Sequence, residues 1–263
     1  MEEFKIDVKN DIHYIYFPVF WEKQTIVATS LRLGGVSPKP YKSLNTGLHT
    51  NDLYENVIEN RKRFFKMLGI NYKNIITLKQ VHSNKVIKVT KKDKGKGALN
   101  FEESVAEADA MITTEYNLPL VVFTADCMPI FFLEEKERII GIAHSGWKGS
   151  LNNIAGEVVK KIVEQGGKLE NIIAGLGIAI GNCCYEVKED VYSLFNKKFI
   201  IKRDNKYFLD IYKVNKEHLL TSGIKEENIY ISNFCTSCNN NLCFSYRKEK
   251  QTGRMASVIM LCQ

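Results

Sequence analysis

Apolar residues along the chain gather into short β-branched or aromatic runs set between charged or glycine-containing stretches. The runs are IVATSL, IITLKQ, KVIKVT, DAMITT, LVVFTAD, IFFL, IIGIA, IIAGLGIAI, IYISNF and ASVIML. Runs of this length and composition predict strands. Helical spacing appears in fewer places. The clearest helix begins after Ser150 as N-cap, puts Leu151, Ile154, Ala155, Val158, Val159, Ile162 and Val163 on one face, and stops at Gly166 and Gly167. Residues 52–68 and 210–220 open on acidic side chains and carry apolar ones at intervals of three and four. The expected fold is therefore strand-rich α+β, with helices covering sheets. No linker, internal repeat or low-complexity tract breaks the pattern, so residues 1–263 are read as one catalytic domain.

The segment from Thr124 to Ser150 is a β-hairpin by the same logic: PIFFL and RIIGIA flank Glu134, Glu135, Lys136 and Glu137, a charged group that reads as a solvated turn. With the turn centred between Glu135 and Lys136, Cys127 and His144 lie opposite each other. A slip of one residue would put them on opposite faces. From the hairpin alone, a buried small cysteine beside a hydrogen-bonded histidine explains the pair as well as chemistry does.

Composition narrows the classes. Hydrophobic residues make up 44% and charged residues 25% of the 263, and no apolar run is long enough to span a bilayer, so a membrane role is not expected. The N-terminus is charged from its second residue and lacks a secretory h-region, which points to the cytoplasm and to reduced thiols for the seven cysteines. The net charge of +7 comes from dispersed lysines, with no aromatic-interleaved stripe of the kind that binds nucleic acid. Only the KKDKGKG run at 91–97 is densely basic, and its glycines read as a flexible loop.

The chain has five histidines. His13 sits in the aromatic DIHYIYF strand and His218 on a charged helix, both structural or solvent-facing, while His49 follows SLNTGL in a loop and stays undecided. His82, in LKQVHSN, follows a strand, where an imidazole is readily presented to a cleft. His82, Cys127 and His144 would give two imidazoles and a thiolate, a set that suits a catalytic zinc with its fourth position open, although ligands from separate strand ends are a weak signal by spacing alone. CTSCNNNLC offers Cys235, Cys238 and Cys243 but no fourth ligand nearby, and reads as a thiol cluster. Cys183 and Cys184 would point opposite ways in an extended chain, so that at most one could face a site. Arg32, Ser43 and Asn45 lie in a Gly- and Pro-rich loop, Lys148 stands where GWKGS enters a helix, and Arg247 and Arg254 could fork onto a phosphate or form surface ion pairs.

Taken in order, TSLRLGGVS, YKSLNTGLH, LKQVH, EADAMIT, FTADCMPI, AHSGWKG, IGNCCYEV and FSYRKEKQTGR resemble the motif set of the YfiH family, also called the polyphenol oxidase or laccase-domain family, over nearly the whole chain. The resemblance implies a four-layer α/β/β/α sandwich and zinc on His82, Cys127 and His144. It implies phosphorolysis of adenosine, inosine, guanosine and S-methyl-5′-thioadenosine, with deamination of adenosine to inosine, so purine nucleosides and phosphate are the expected partners, met by a monomer or small homo-oligomer. Zinc suits the deamination because it acidifies water. Arg32, Ser43 and Asn45 match the family's T-x-R-x-G-G and S-L-N segments and are, with Arg247, the candidates for holding substrate. Two departures, Ile178 after Gly177 and Lys248 after Arg247, bear on loop shape and phosphate affinity.

Two other readings stand beside this one. His, His and Cys also describe a blue-copper site, which would make the chain a copper-dependent phenol oxidase, but five histidines are too few for a full multicopper enzyme. The architecture also resembles the catalytic domain of bacterial cytotoxic necrotizing toxins, which would make Cys127 a nucleophile and His144 its base. A role in editing peptidoglycan precursors has been attached to bacterial family members, and these residues neither support nor oppose it.

Overall fold

The computed structural model describes residues 3–263. The strands are β1 (Lys5–Lys9), β2 (Ile12–Tyr16), β3 (Thr25–Ser30), β4 (Val86–Lys88), β5 (Ala110–Thr113), β6 (Leu120–Thr124) and β7 (Met128–Glu134). They continue with β8 (Ile139–Ser145), β9 (Ile172–Leu176), β10 (Glu186–Val187), β11 (Ile200–Arg203), β12 (Lys206–Leu209), β13 (Ile229–Ile231) and β14 (Met255–Leu261). One sheet is antiparallel, in the order β1-β2-β3-β14-β6, and a second is mixed, in the order β13-β9-β7-β8-β5-β4. A small third sheet has the order β10-β12-β11.

The alternation of side chains along each strand builds the layers. Phe131 and Leu133 of β7 and Ile140 and Ile142 of β8 meet Leu120 and Val122 of β6 and Ile259 of β14 in a core between the two large sheets. The opposite faces carry helices. Ile130, Phe132 and Ala143 pack beneath Ile154, Val158 and Ile162 of the helix Ile154–Glu164 and Ile211 and Leu219 of the helix Ile211–Thr221. Val121, Val258 and Ala256 pack beneath Phe64, Phe65 and Met67 of the helix Tyr54–Met67. The result is an α+β four-layer sandwich, α/β/β/α. Among the described residues, no helix is long and apolar enough to cross a membrane.

Several expected elements shift. The helix expected from Ser150 instead starts at Ile154: Asn153, at φ 55°, is its cap, and the Asn153 carboxamide oxygen accepts from the Gly156 N–H at 3.0 Å. Ser150 ends up buried, bonded to Ser145 and Asn215. Asp210 caps the helix Ile211–Thr221 by accepting from the Lys213 N–H. IITLKQ does not form a regular strand; it runs extended, with single bridges from Ile76 to Leu120 and from Lys79 to Glu107. The basic run at 91–97 is an ordered turn, capped by Thr90.

That turn is tied to the rest by Arg61, whose side chain is almost wholly buried in the helix Tyr54–Met67. Its guanidinium donates to the carbonyls of Gly97 (2.9 Å), Ala98 (2.7 Å) and Thr46 (2.8 Å) and lies 4.6 Å from the centre of the Phe123 ring. Burial pushes its pKa down to about 9. Thr46 in turn bonds the carbonyl of Arg254 at 2.7 Å, so this arginine braces a loop that reaches the site described below. Arg61→Met leaves three buried carbonyls without a donor, and urea denaturation should show a loss of roughly 3 kcal/mol or more. Val163→Ala, on the exposed edge of its helix, should stay within about 0.5 kcal/mol.

Candidate metal centre

The hairpin of β7 and β8 forms, with its register displaced. Pro129, rather than Cys127, lies opposite His144, and the turn occupies 135–138. The displacement has a physical origin in Glu134, which belongs to the strand: it is fully buried and accepts from the N–H groups of Glu137 and Lys168 and from the Asn171 carboxamide. Arg138 closes the turn at φ 53°. Because Cys127 and Pro129 are two residues apart, they keep the same face. Cys127, just before β7, therefore still reaches His144 diagonally.

His82 completes the group. One ligand atom from each of His82, Cys127 and His144 lies within 4.8 Å of the others, and the two imidazole rings stand 4.9 Å apart at 82°. His82 is held at φ 60° and Asp126, next to Cys127, at φ 88°, so two of the residues around the site occupy the left-handed region that side chains rarely adopt. Gly146 borders the same space. A Cβ there would sit 3.0 Å from the Cys127 sulfur and 3.1 Å from His82 Cδ2, so a glycine is what leaves the thiol and imidazole free to converge.

Asp109 orders this arrangement from beneath. Its carboxylate, fully buried, accepts from the N–H groups of Val81 (3.2 Å), His82 (3.0 Å) and Ser83 (2.6 Å), from the Ser83 hydroxyl (2.8 Å) and from His144 Nδ1 (2.8 Å). A carboxylate offers only acceptors, so His144 Nδ1 carries the proton and Nε2 is left to the site. Burial works to raise the Asp109 carboxyl, but the bonds from His144 and Ser83 outweigh it and hold it below the usual carboxylate range. Burial likewise works to raise the Cys127 thiol, and the charge and hydrogen bonds of His144 and His82 bring it down to about 6. Burial opposes charge on His144, yet Cys127 and Asp109 push it up to about 9. Without a metal the pair is a thiolate facing an imidazolium. Two imidazoles, a thiolate and a carboxylate orienting one imidazole form a donor set that fits a metal ion with a position left open.

Two cavities meet at His82 and Cys127. One, of about 250 Å³, is walled by Trp147, Tyr185, Tyr246 and Arg247 with His82 and Cys127. The other, of about 390 Å³, is walled by His49, Gln80, Phe123, Tyr246 and Arg254 with all three ligands. His49, set into this cleft beside Arg254 and Arg61, is held down to about 4 by desolvation and by those cations, so it is neutral at pH 7. Arg254 donates through Nη1 to the carbonyls of Thr252 and Gly253.

Of the residues expected to hold substrate, Arg247 lines the smaller cavity, over the Tyr185 ring at 5.2 Å and donating to the Glu186 carbonyl at 2.6 Å. Arg32, Ser43 and Asn45 line neither cavity. Arg32 donates to the carbonyls of Lys42 and Asn240 and pairs with Glu249. The Ser43 hydroxyl bridges the Arg32 carbonyl and the Gly35 N–H. Asn45, fully buried, bonds Thr50 and Asp52 and accepts from the Arg254 N–H at 2.8 Å, so it fixes the backbone of a residue that does line a cavity. Sequence reasoning passed over Asp109, Tyr185, Trp147, Tyr246 and Gly146; only the quoted motifs EADAMIT, AHSGWKG, IGNCCYEV and FSYRKEKQTGR carried a trace of them. The expectations for the other cysteines also change: Cys183 and Cys184 sit in a turn, not an extended chain, and both reach Cys235 and Cys238.

Two outcomes follow from this geometry. In metal-free protein, alkylation of Cys127 followed by peptide mass spectrometry should rise with pH to a plateau with its midpoint near 6, and His144→Ala should move that midpoint upward; a wild-type midpoint at the ordinary thiol value of about 8.5 would contradict the pairing. Asp109→Asn should weaken metal binding at this centre by about 10- to 100-fold in competition with a chelating dye.

Residues 26–262 match the family described as multi-copper polyphenol oxidoreductase laccase. The chain is 35% identical over 247 residues to purine nucleoside phosphorylase YlmD of Bacillus subtilis (strain 168), covering 90% of this chain and 88% of that protein. It is 35% identical over 245 residues to purine nucleoside phosphorylase YfiH of Escherichia coli (strain K12), covering 91% and 95%. The crystal structure of YlmD from Geobacillus stearothermophilus superposes with a TM-score of 0.93 at 31% identity, over 100% of both chains. The motifs, the layered fold and these matches agree, and the chain belongs to the laccase-domain family that includes YfiH and YlmD.

Proposed function

We propose that this chain is a zinc-dependent purine nucleoside phosphorylase for adenosine, inosine, guanosine and S-methyl-5′-thioadenosine, and that the same centre deaminates adenosine to inosine. The observation that carries the reading is the convergence of His82, Cys127 and His144 where an aromatic-walled cavity meets a cationic one. The names of the curated relatives support the reaction class.

In phosphorolysis a phosphate oxygen bonds to the anomeric carbon of the ribose, and the bond from that carbon to the purine nitrogen breaks, its electrons leaving with the base. The cavity of Trp147, Tyr185 and Tyr246 offers flat apolar faces for the purine, with Tyr246 still 53% exposed and therefore free to stack. Arg254, in the neighbouring cavity, places a cation for the phosphate, and neutral His49 adds a polar group without competing charge. Arg247 supplies a second cation at the purine side. Arg32, Ser43 and Asn45 serve by bracing the loops behind Arg254. A zinc ion on the three ligands would supply Lewis-acid chemistry, stabilising developing negative charge and acidifying water. Asp109 and Gly146 keep His144, His82 and Cys127 in place for it.

A second reading rests on a specific contact. Cys127, His144 and Asp109 are arranged as nucleophile, base and orienting carboxylate, as in a cysteine hydrolase. It leaves His82 without a task. Copper, the alternative metal, matches the ligand types, but the described residues offer one such His, His, Cys centre.

Adenosine incubated with zinc-loaded protein should yield adenine and ribose 1-phosphate only when phosphate is present, and inosine with or without it. His82→Ala, Cys127→Ala and His144→Ala should each lose at least ~100-fold in rate. Tyr246→Ala should raise KM by about 10-fold, the scale of one lost base–aromatic stack. No base or inosine from the loaded enzyme would overturn the proposal; full activity without metal that survives His82→Ala would favour the hydrolase.

A further inference from the structure

We infer that Cys183, Cys184, Cys235 and Cys238 form a second, structural metal site that takes one thiophilic divalent ion of the zinc class. The four sulfurs lie within 4.8 Å of one another, and the Cys238 sulfur is 3.4 Å from those of both Cys183 and Cys184. A tetrahedral zinc with sulfurs at about 2.3 Å separates those sulfurs by about 3.8 Å, a spacing the cluster brackets. All four are free thiols, well beyond the ~2.05 Å of a disulfide. Sulfurs this close would enclose one ion, whereas an iron–sulfur cluster would need room for several irons and bridging sulfides. Four protein ligands close the coordination shell, as in structural rather than catalytic zinc sites.

The local backbone is shaped for thiolates. The chain turns at 181–185, with the N–H groups of Cys184 and Tyr185 both bonded to the Gly181 carbonyl, at 3.0 and 2.9 Å, and this turn brings two adjacent cysteines to the same side. The Cys235 sulfur accepts from the N–H groups of Gly181 (3.2 Å) and Cys238 (3.5 Å), which stabilises negative charge on it. A Cβ at Gly181 would stand 3.2 Å from Cys235 Cβ and 3.3 Å from the Cys183 sulfur, so a larger residue would crowd the cluster. Cys183 and Cys238 are exposed, giving an ion a way in. Binding releases the remaining thiol protons to water and leaves four thiolates around the cation.

The site would clamp two loops behind the purine cavity. Tyr185, which follows the first cysteine pair, lines that cavity. Thr236, between the second pair, donates to Asp126 Oδ1 at 2.6 Å, and Asp126 adjoins Cys127. The role is therefore structural, and it is independent of the reaction proposed above.

The test uses the full chain carrying His82→Ala, Cys127→Ala and His144→Ala, kept reduced and titrated with cobalt(II). One equivalent should bind with intense thiolate-to-cobalt absorption and be displaced by zinc, and adding Cys238→Ser should weaken binding at least ~10-fold. If the triple variant does not fold, the wild-type chain should hold two zinc ions, with alkylation of Cys183 and Cys238 blocked until a chelator is added. No cobalt bound, affinity unchanged by Cys238→Ser, disulfides among these cysteines in freshly isolated protein, or alkylation unaffected by zinc would each overturn the inference.

Discussion

The carboxylate of Asp109 fixes the geometry of the candidate metal centre. It stands at the start of the run that becomes β5, buried between the sheet and the loop of His82, and its two oxygens receive three backbone N–H groups, one hydroxyl and one imidazole. A buried charge of this kind is tolerable only when it is so fully bonded. Its bonds reach both imidazole ligands, directly through His144 and through the backbone at His82. The positive φ of His82 is the conformational strain that this bonding holds in place. Everything else in the centre, from the low pKa of Cys127 to the space left by Gly146, presupposes those two positions.

Around this point the fold acts as a frame whose rigid parts carry the candidate ligands and whose loops wall the two cavities. β7 and β8 deliver Cys127 and His144 from neighbouring strand ends, so their spacing is set by the sheet. Most of the walls of the two cavities come from connections instead: Trp147 from the short helix after β8, Tyr185 from the turn after β9, Tyr246 and Arg254 from the segment before β14, with Phe123 of β6 the exception among the walls named above. Loops placed this way need bracing, and buried polar side chains supply it. Arg61 ties the loop of Thr46 to that of Gly97, Asn45 holds the backbone of Arg254, and Asp126 joins Thr236 to the N–H of Arg247 at 2.6 Å. The loop at 32–45 belongs to this bracing.

The alternation of apolar residues made most strands legible, because burial on one or both faces leaves a period of two in the sequence. The helices at 54–67 and 211–221 were legible for the corresponding reason. Where polar residues are buried the pattern misleads. Glu134 looks like turn and is strand, which displaces the hairpin; Ser150 looks like a cap and is core, while Asn153 at positive φ does the capping. The small sheet of β10, β11 and β12 is mostly exposed and leaves no apolar signature. The three candidate ligands were legible from strand-end placement and motif resemblance together, neither sufficient alone. Asp109 was not, since an acid at the head of an apolar run says nothing of the five donors that fold around it. The cysteine quartet was hidden because its members come from two distant segments and one pair lies in a turn.

Anomalous scattering at the zinc absorption edge from crystals of zinc-loaded protein, grown in the presence of inosine, tests the central claim most directly. The account predicts a peak coordinated by His82, Cys127 and His144, with no fourth protein ligand and with electron density for the purine against Tyr246. A peak absent from that position, or one closed by a fourth side chain, would contradict an open centre built for nucleoside chemistry.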